Sequence, residues 1–444
     1  MRASPCRSLS LPGSEVLMTK KRKVSGATPP PDSCAVEPQA FSVDAVRQLF
    51  PVFQREPNTI FFDNAATTQK PQTVIDVVSE FLAYECSNSA RAAYARSTKL
   101  SARLEETRAR VARFIGATPE TVCFTSGATE SLNLVALSWG LANLKSGDEI
   151  MLCLQDHKST VLPWLNLQST LKQFGIEINI VPIRLHHEGD YELKSIREAL
   201  SDRTRLIAVS HVHHLFGLDM EIGEIRKIVG RKVLISLDAS QSIGHRPVNV
   251  RRLNVDFLSF SGHKMFSSNG VGVLYVRKSL LGQLKPVIVG GGMTRAPGSE
   301  FSVSPQSAAT LLEAGTQNIP AILSLGAALD FIESIGGLGV VDRRLSALTR
   351  SLYSKLKTLP GIDFSPGVDR CGCHRGFGIV SFRFEHVSTS DLAFLLESED
   401  ILVRTGDHCL TTVQDGDDYV RVSMHVYTSE AEIDRLIEVL RSNI

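Results

Sequence analysis

Short apolar runs alternate with stretches of helical periodicity over residues 59–320. Each run is bounded by polar or small residues, which is typical of strands that are buried on both faces. The helical periodicity between the runs predicts helices over 99–115, 160–174 and 222–229. This alternation predicts an α/β fold with a mostly parallel sheet covered by helices on both faces. The seven predicted strands are 121–125, 149–154, 178–182, 205–210, 233–237, 256–260 and 271–276.

The pattern changes after about residue 320, where long helical stretches come before strands. Helices are predicted over 322–335, 340–359 and 428–442, and strands over 378–384 and 401–404. Thr428, with acidic residues in the first turn after it, gives the last helix a partial capping box. We therefore predict a smaller α+β domain over 321–444, beside a large cofactor-binding domain over 59–320. Residues 41–58 are predicted to pack with the smaller domain.

The first 40 residues are rich in serine, proline and basic residues and are predicted to be a disordered tail. The run 20–24, Lys-Lys-Arg-Lys-Val, resembles a nuclear-import signal, and a solvated charge run is the alternative. An organelle address is a further alternative, which Pro12 and Glu15 weaken because they disfavour the amphipathic helix it would require. We expect a cytoplasmic protein, with nuclear or organellar targeting left open.

Composition excludes several classes of protein. The chain has 444 residues, of which 43% are hydrophobic, and a net charge of +1, which indicates no broad basic surface for nucleic acid. No apolar run reaches the length of a membrane span. The 8 cysteines show no disulfide-framework spacing, which suits a reducing compartment. The segment 371–374, Cys-Gly-Cys-His, lacks a second ligand pair at zinc spacing, so we predict a loop there and no metal.

Lys264 ends the segment 259–264, Ser-Phe-Ser-Gly-His-Lys, directly after an apolar run. A strand that ends in this way presents one amine at the carboxyl edge of the sheet, where open α/β folds bind ligands. Burial would lower the pKa of this amine and make it a nucleophile suited to pyridoxal 5'-phosphate (PLP). The alternative is a lysine at a strand end on the protein surface.

A carboxylate stands where this cofactor would need one. Asp238 and Gln241 follow the predicted strand 233–237. There they could contact the pyridinium nitrogen and the phenolic oxygen of the cofactor. The alternative for Asp238 is a helix N-cap. His157, just after the predicted strand 149–154, could stack on the cofactor ring, although loop histidines commonly have no such role.

A phosphate-binding turn is also recognisable. Residues 126–130, Ser-Gly-Ala-Thr-Glu, lie between a predicted strand and a helix. Free N–H groups at a helix start bind phosphate without dedicated basic side chains. Ser261 and His263 could complete this site.

Taken in order along the chain, these motifs resemble the class V PLP-dependent aminotransferase superfamily. Within it, the segment 404–409, Arg-Thr-Gly-Asp-His-Cys, resembles the cysteine desulfurases of the sulfur-mobilisation type, which are related to selenocysteine lyases. The resemblance covers about residue 41 to the C-terminus. The matching segments are 62–71, 125–130, 156–157, 238–241, 261–264, 313–316 and 404–409.

The resemblance implies a PLP-dependent transferase of fold type I with a seven-stranded sheet. Lys264 would hold the cofactor covalently and move protons, and His157 would stack on its ring. The partner subunit's Thr316 would reach the phosphate, which implies a homodimer. The remaining cofactor contacts would come from Ala128, Thr129, His214, Asp238, Gln241, Ser261 and His263.

The same resemblance implies the reaction. Cys409 would attack the sulfur of L-cysteine, which leaves L-alanine and an enzyme persulfide for a sulfur-acceptor protein. Arg421 would bind the substrate carboxylate in a bidentate manner, with Arg404 and Arg91 near the substrate. The alternatives are another class V enzyme, such as a selenocysteine lyase or an aminotransferase, or a non-catalytic scaffold paralogue.

Departures from the family pattern carry their own expectations. His214 stands where the family has asparagine, and an imidazole there can titrate, so cofactor absorbance should depend on pH near neutrality. Ala90-Arg91 replaces a His-Arg pair at the substrate mouth. Asp407, in place of His or Gln, would oppose formation of the Cys409 thiolate.

Overall fold

The computed structural model describes residues 41–89, 94–293, 305–368, 376–412 and 418–444. The tail 1–40 with its basic run, the substrate candidate Arg91 and the predicted loop 371–374 therefore lie outside the described residues.

Strands and helices alternate through the first three quarters of the chain. The strands are β1 (Ile60–Phe61), β2 (Val122–Thr125), β3 (Glu149–Cys153), β4 (Asn179–Ile183), β5 (Thr204–Ser210), β6 (Leu234–Asp238), β7 (Phe257–Ser261), β8 (Gly272–Val276), β9 (Ile362–Phe364), β10 (Ile379–Phe384), β11 (Ile401–Leu402) and β12 (Val420–Ser423). The α-helices are α1 (Val43–Gln48), α2 (Pro51–Arg55), α3 (Gln72–Glu80), α4 (Ala95–Phe114), α5 (Ala128–Leu134), α6 (Leu141–Asn143), α7 (Lys158–Gln173), α8 (Leu193–Ala199), α9 (Ile222–Val229), α10 (Val250–Leu253), α11 (Ala308–Leu312), α12 (Ile319–Ser334), α13 (Leu338–Leu356), α14 (Thr389–Ser398) and α15 (Glu430–Asn443).

The central sheet has seven strands in the order β2-β8-β7-β6-β5-β3-β4. The pairs from β7 to β4 are parallel, whereas β8 is antiparallel to both of its neighbours. Six of the seven strands are almost wholly buried, which explains their continuous apolar runs, whereas the edge strand β4 is partly exposed. The predicted α/β fold with a mostly parallel seven-stranded sheet is confirmed.

The seven predicted strands all occur, and none of their boundaries moves by more than one residue. The predicted helix over 222–229 has the same bounds as α9. Helix α4 begins four residues earlier than predicted, at Ala95, and α7 begins at Lys158. Carboxyl ends of β5, β6 and β7 lie side by side, because Ser210 pairs with Asp238 and Asp238 with Ser259.

The C-terminal part is α+β, as predicted. Strands β12, β10 and β9 form an antiparallel sheet, and β11 pairs in parallel with β1. The strand predicted over 401–404 is shorter, and β12 has no counterpart in the prediction. The predicted cap of the last helix is wrong: Ser429, and not Thr428, forms a complete capping box with Glu432.

The segment 41–58 contacts residues near the C-terminus. Arg47 donates hydrogen bonds from Nη1 to the Glu432 carboxylate at 2.7 Å and to the Tyr427 carbonyl at 2.9 Å. Phe50 packs edge-on against Tyr427, with ring centroids 4.7 Å apart. The boundaries proposed at 58 and 320 stay predictions.

Within the described ranges, none of the helices taken alone has both the length and the apolar character to cross a membrane. Helices α12 and α13 meet that description only as a pair, with a bend of 73° between them.

Candidate active site

A cavity of about 220 Å³ opens at the carboxyl ends of β5, β6 and β7. Thr316 is exposed and does not line it, and Arg91 lies outside the described residues. The other predicted site residues all line this cavity, namely Ala128, Thr129, His157, His214, Asp238, Gln241, Ser261, His263, Lys264, Arg404, Cys409 and Arg421. The fold therefore brings together, at one edge of the sheet, residues that span almost three hundred positions.

Lys264 ends a short 3-10 turn that directly follows β7. Lys264 lines the cavity, and desolvation by the surrounding protein lowers the pKa of its amine to about 8. Asp238 opposes the shift, while Arg421 and Arg404 add to it. A substantial fraction of the amine is therefore neutral, and nucleophilic, near physiological pH.

The peptide that precedes Lys264 is anchored by several donors. The carbonyl oxygen of His263 accepts hydrogen bonds from Oγ1 of Thr67 at 3.2 Å and Oγ1 of Thr68 at 3.0 Å. The Thr68 N–H and Nζ of Lys70, each at 3.0 Å, complete this group. The segment 62–71 thus holds the lysine-bearing turn in place from a different part of the chain.

Asp238 is the last residue of β6 and is buried. Its Oδ1 accepts from the Ser240 N–H at 2.9 Å, and its Oδ2 accepts from Oγ1 of Thr160 at 3.3 Å. Gln241 donates from Nε2 to the Ala65 carbonyl at 2.8 Å. Its Oε1 is buried and has no hydrogen-bond partner among the described residues.

Two histidine rings meet in the cavity at right angles. The rings of His157 and His214 have centroids 5.0 Å apart and planes inclined by 85°. Nδ1 of His157 accepts from the Ser159 N–H at 3.1 Å, which caps α7. Burial, together with the charge of Lys264, lowers the pKa of His157 to about 4.

His214 differs from its sequence-based expectation. Both ring nitrogens are buried without a hydrogen-bond partner among the described residues. Burial first, and then His213 and His157, lower its pKa well below 6.5. The structure therefore argues against a His214 that titrates near neutrality, because its neutral form persists there.

The turn predicted to bind phosphate is packed tightly. Oγ of Ser261 accepts from the Ala128 N–H at 2.8 Å, and Oγ1 of Thr129 shares a hydrogen bond of 2.8 Å with Oγ of Ser159. A Cβ on Gly272 would lie 2.4 Å from Cα of Gly127. Only glycine in β8 allows the turn to approach the sheet so closely.

Arg421 is a buried guanidinium held at two of its nitrogens. Nη1 donates to the His214 carbonyl and Nη2 to Oδ1 of Asp63, each at 3.0 Å. Nη1 of Arg404 lies 3.7 Å from Oδ2 of Asp63. Nε of Arg421 is buried without a partner among the described residues. One carboxylate therefore faces two arginines at the cavity.

Cys409 lies in a tight turn at the cavity. His408 and Cys409 both have left-handed backbones, with φ of 46° and 60°. His408 donates from Nε2 to the Tyr419 carbonyl at 2.8 Å. The Cys409 N–H donates to Oδ1 of Asp407 at 3.0 Å, and its carbonyl accepts from the Lys158 N–H at 2.9 Å.

Residues 60–436 match the aminotransferase class-V family. The chain belongs to this family. Cysteine desulfurases of Shigella sonnei (strain Ss046) and Escherichia coli (strain K12 / DH10B) are each 32% identical over 411 residues. These matches cover 90% of this chain and 98% of each relative.

Solved structures of this family have the same fold. The apo cysteine desulfurase from Thermococcus onnurineus NA1 is 32% identical with a TM-score of 0.80, and covers 90% of this chain and 97% of its own. The cysteine desulfurase CsdA from Escherichia coli is 27% identical with a TM-score of 0.79, and covers 90% and 98%. The predicted class V membership and fold type are confirmed.

The cavity's residues fit the PLP expected in a class V protein. Several cavity residues have buried polar atoms without a hydrogen-bond partner among the described residues: both ring nitrogens of His214, Oγ of Ser240, Oε1 of Gln241, Nδ1 of His408 and Nε of Arg421. Buried polar groups are normally paired, so a polar ligand is the expected partner. Asp238 and Lys264 add the carboxylate and the amine that such a ligand needs.

Several site residues were missed by the sequence-based prediction. Asp63 and Thr160 contact Arg421 and Asp238. His408, expected from the sequence only as a potentially positive neighbour of Cys409, lines the cavity, and burial lowers its pKa to about 4. Asp63 lies in a segment that matches the family pattern, so its motif was visible although its partner was not. Further lining residues without a predicted role are Ala65, Ala66, Ser159, Ser210, Val212 and Ser240.

Proposed function

We propose that this chain is a PLP-dependent cysteine desulfurase, which converts L-cysteine to L-alanine and retains the sulfur as a persulfide on Cys409. The observation that carries the proposal is one cavity lined by a thiol, an amine of lowered pKa and a buried guanidinium: Cys409, Lys264 and Arg421. The bacterial relatives at 32% identity are cysteine desulfurases by name.

The residues that would hold PLP are those that the family resemblance assigns to it, and the ones named here all line the cavity. Lys264 would attach it covalently, and Asp238 would pair with its ring nitrogen. His157 would lie on the ring face, and His214 and Gln241 would meet its phenolic oxygen. Ala128, Thr129, Ser261 and His263 would hold its phosphate. When bound, PLP withdraws the electron pair left on the substrate's Cα after its proton is removed.

Side chains of the cavity would bind the substrate, move protons and attack the sulfur. Arg421, already oriented by Asp63, would bind the substrate carboxylate, with Arg404 beside it. Lys264, with a pKa of about 8, can take a proton from Cα and return one to carbon. The Cys409 thiolate would attack the substrate sulfur. A sulfur–sulfur bond then forms as the Cβ–sulfur bond breaks, and carbon keeps the electron pair and later takes a proton.

The alternative functions do not each require all of these cavity residues. An aminotransferase needs no thiol beside the substrate, whereas Cys409 lines this cavity. A scaffold paralogue would have no need of a depressed lysine pKa beside a buried carboxylate and arginine. A selenocysteine lyase would use the same residues and differs in its dependence on Cys409.

We also propose a homodimer in which the partner subunit's Thr316 reaches the phosphate. Thr316 is exposed and does not line the cavity described above, and the adjacent Gly315 N–H donates to the Gly291 carbonyl at 2.6 Å. The nearby residues 287–289, Val-Ile-Val, are exposed apolar side chains that a second subunit would cover. Ile288→Asp should give monomers in sedimentation velocity, and an unchanged dimer would contradict this assembly.

The decisive experiment compares Cys409→Ala with Cys86→Ala, since Cys86 is an exposed free cysteine outside the cavity. Cys409→Ala should keep bound cofactor but release alanine from cysteine orders of magnitude more slowly. Mass spectrometry should find added sulfur on the Cys409 peptide of wild type and of Cys86→Ala. Undiminished cysteine turnover in Cys409→Ala, or persulfide only on another cysteine, would overturn the proposal. Retained turnover of selenocysteine alone would favour a selenocysteine lyase.

A further inference from the structure

Asp407 uses its two carboxylate oxygens for two different contacts. Oδ1 accepts from the Cys409 N–H at 3.0 Å, and Oδ2 pairs with Nζ of Lys158 at 2.6 Å. Cys409 lines the cavity, whereas Asp407 and Lys158 do not. Asp407 and Lys158 therefore lie on the solvent side of the turn that carries Cys409, and their side chains are about half exposed.

The backbone of this turn needs support. Left-handed φ values at two consecutive non-glycine residues, His408 and Cys409, are uncommon and cost free energy. An aspartate that accepts from the N–H two residues later stabilises such a turn. Asp407 makes this contact, and the His408 ring holds the turn from inside through the Tyr419 carbonyl. The conformation that directs Cys409 to the cavity thus depends on side-chain contacts.

The turn is also docked along the start of α7. The Lys158 N–H donates to the Cys409 carbonyl at 2.9 Å. Thr411 and Thr412 donate from their N–H groups to the carbonyls of Asp156 and Leu154, at 3.2 and 3.1 Å. Lys158 therefore holds the turn twice, once through its backbone and once through its side chain.

We propose that Asp407 and Lys158 are positioning residues that hold Cys409 in the cavity. The proposal rests on the proposed function only in treating Cys409 as the sulfur-accepting thiol. It also revises the expectation that Asp407 opposes the nucleophile. The Asp407 carboxylate is compensated by the Lys158 ammonium, and its hydrogen bonds to Lys158 and to the Cys409 N–H lower its own pKa.

The test separates the two contacts of Asp407 in the PLP-bound protein. Asp407→Asn keeps a side-chain acceptor for Cys409 but loses the ion pair, Lys158→Met loses only the ion pair, and Asp407→Ala loses both contacts. Residue-resolved hydrogen exchange at the N–H groups of Lys158, Cys409 and Thr411 reports the docking directly. An exposed ion pair should protect these groups about two- to fivefold. In Asp407→Ala, protection of these N–H groups from exchange should fall by at least about tenfold, because the charge-assisted contact to the Cys409 N–H is also removed.

Controls keep the test specific. Lys158→Arg keeps the ion pair and should exchange at the wild-type rate. The Lys158→Met/Asp407→Asn double variant should exchange no faster than the faster of its two single variants, because each single variant already removes the same ion pair. Ionic strength of about 1 M should speed exchange in wild type but not in Lys158→Met. Unchanged exchange in Asp407→Ala would overturn the proposal.

Steady-state kinetics supply the second readout. Misplacement of the thiol should lower kcat for cysteine, while KM and cofactor absorbance stay at wild-type values, because Arg421 and Lys264 are untouched. A rise in KM with unchanged kcat would contradict a role in placing the nucleophile. If wild type itself releases no alanine from cysteine, the proposed function fails, and the exchange data still decide the role of Asp407 and Lys158.

Discussion

Arg421 and Asp63 form an ion pair of 3.0 Å across 358 positions of sequence. Burial lowers the pKa of Arg421, and the Asp63 carboxylate opposes that shift. Asp63 reaches this place because it follows β1, which pairs with β11, and because it forms an isolated bridge with Ser423. Residues from near the N-terminal and C-terminal ends of the described chain therefore build the proposed carboxylate-binding site together.

Asp63→Asn is the first predicted change. Removing the charge that orients a buried guanidinium should weaken binding of the substrate carboxylate by about tenfold, since truncating one partner of a buried pair is costly and Asp63 is partly accessible. The effect should appear as a higher KM for cysteine with little change in kcat. Asp363→Asn, which removes an exposed partner of Arg383, is the control. Equal kinetics in the two variants would show that Asp63 does not orient Arg421.

The site of cofactor attachment gives the second prediction. Among the described residues, two lysines have pKa values lowered by burial, Lys264 to about 8 and Lys70 to about 7, but only Lys264 lines the cavity. Borohydride reduction followed by peptide mapping should place the pyridoxyl group on Lys264. Since the neutral amine is the nucleophile, apoprotein should take up PLP faster as pH rises through about 8. A label on Lys70 would contradict the assignment.

The sequence predicted the strands well, because a strand buried on both faces needs an apolar side chain at nearly every position. It did not predict β12, since Val420–Ser423 is short and carries the buried Arg421 in its interior. The starts of α12 and α13 were predicted three and two residues late. Helix α12 begins after Asn318 with proline in its first turn, and α13 begins after Gly337.

For the candidate site, too, local features could be predicted from the sequence and long-range contacts could not. Residues within one motif, such as Asp238 or Lys264, could be predicted because a strand end and its chemistry are local. Asp63 and Thr160 could not, because their roles exist only through distant contacts, to Arg421 and to Asp238. Asp407 was read as an unfavourable charge because its partner Lys158 is 249 positions away.

His214→Asn is the third predicted change. Burial and the neighbouring charged groups hold the pKa of His214 well below 6.5, so its ring should stay neutral between about pH 6 and 8. The variant can shift the wavelength of cofactor absorbance, because a different donor would meet the ring. The midpoint of a spectral titration should nevertheless be the same in both proteins. A midpoint that moves with the substitution would show that His214 does titrate near neutrality.

Acid sensitivity of folding is the fourth prediction. Burial lowers the pKa of His157, His211, His213, His214, His245, His263, His408 and His425. Each binds its proton more readily in the unfolded chain, so stability falls as pH drops below about 6.5, where the unfolded histidines protonate. Burial raises the pKa of Asp156 to about 7. This carboxyl group binds its proton more readily in the folded protein, so it favours folding as pH drops over the same range, but it is a single group against several histidines.

His425 isolates this effect, because it is fully buried and its Nε2 has no partner among the described residues. Burial, and then His245, lower its pKa well below 6.5. His425→Leu removes this proton-binding difference, so the free energy of unfolding should fall less steeply between about pH 6.5 and 4.5, by up to about 1.4 kcal/mol per pH unit. The exposed His386→Leu should keep the wild-type slope. Urea unfolding at several pH values measures both, and parallel slopes in His425→Leu and wild type would mean that His425 is protonated in the folded protein.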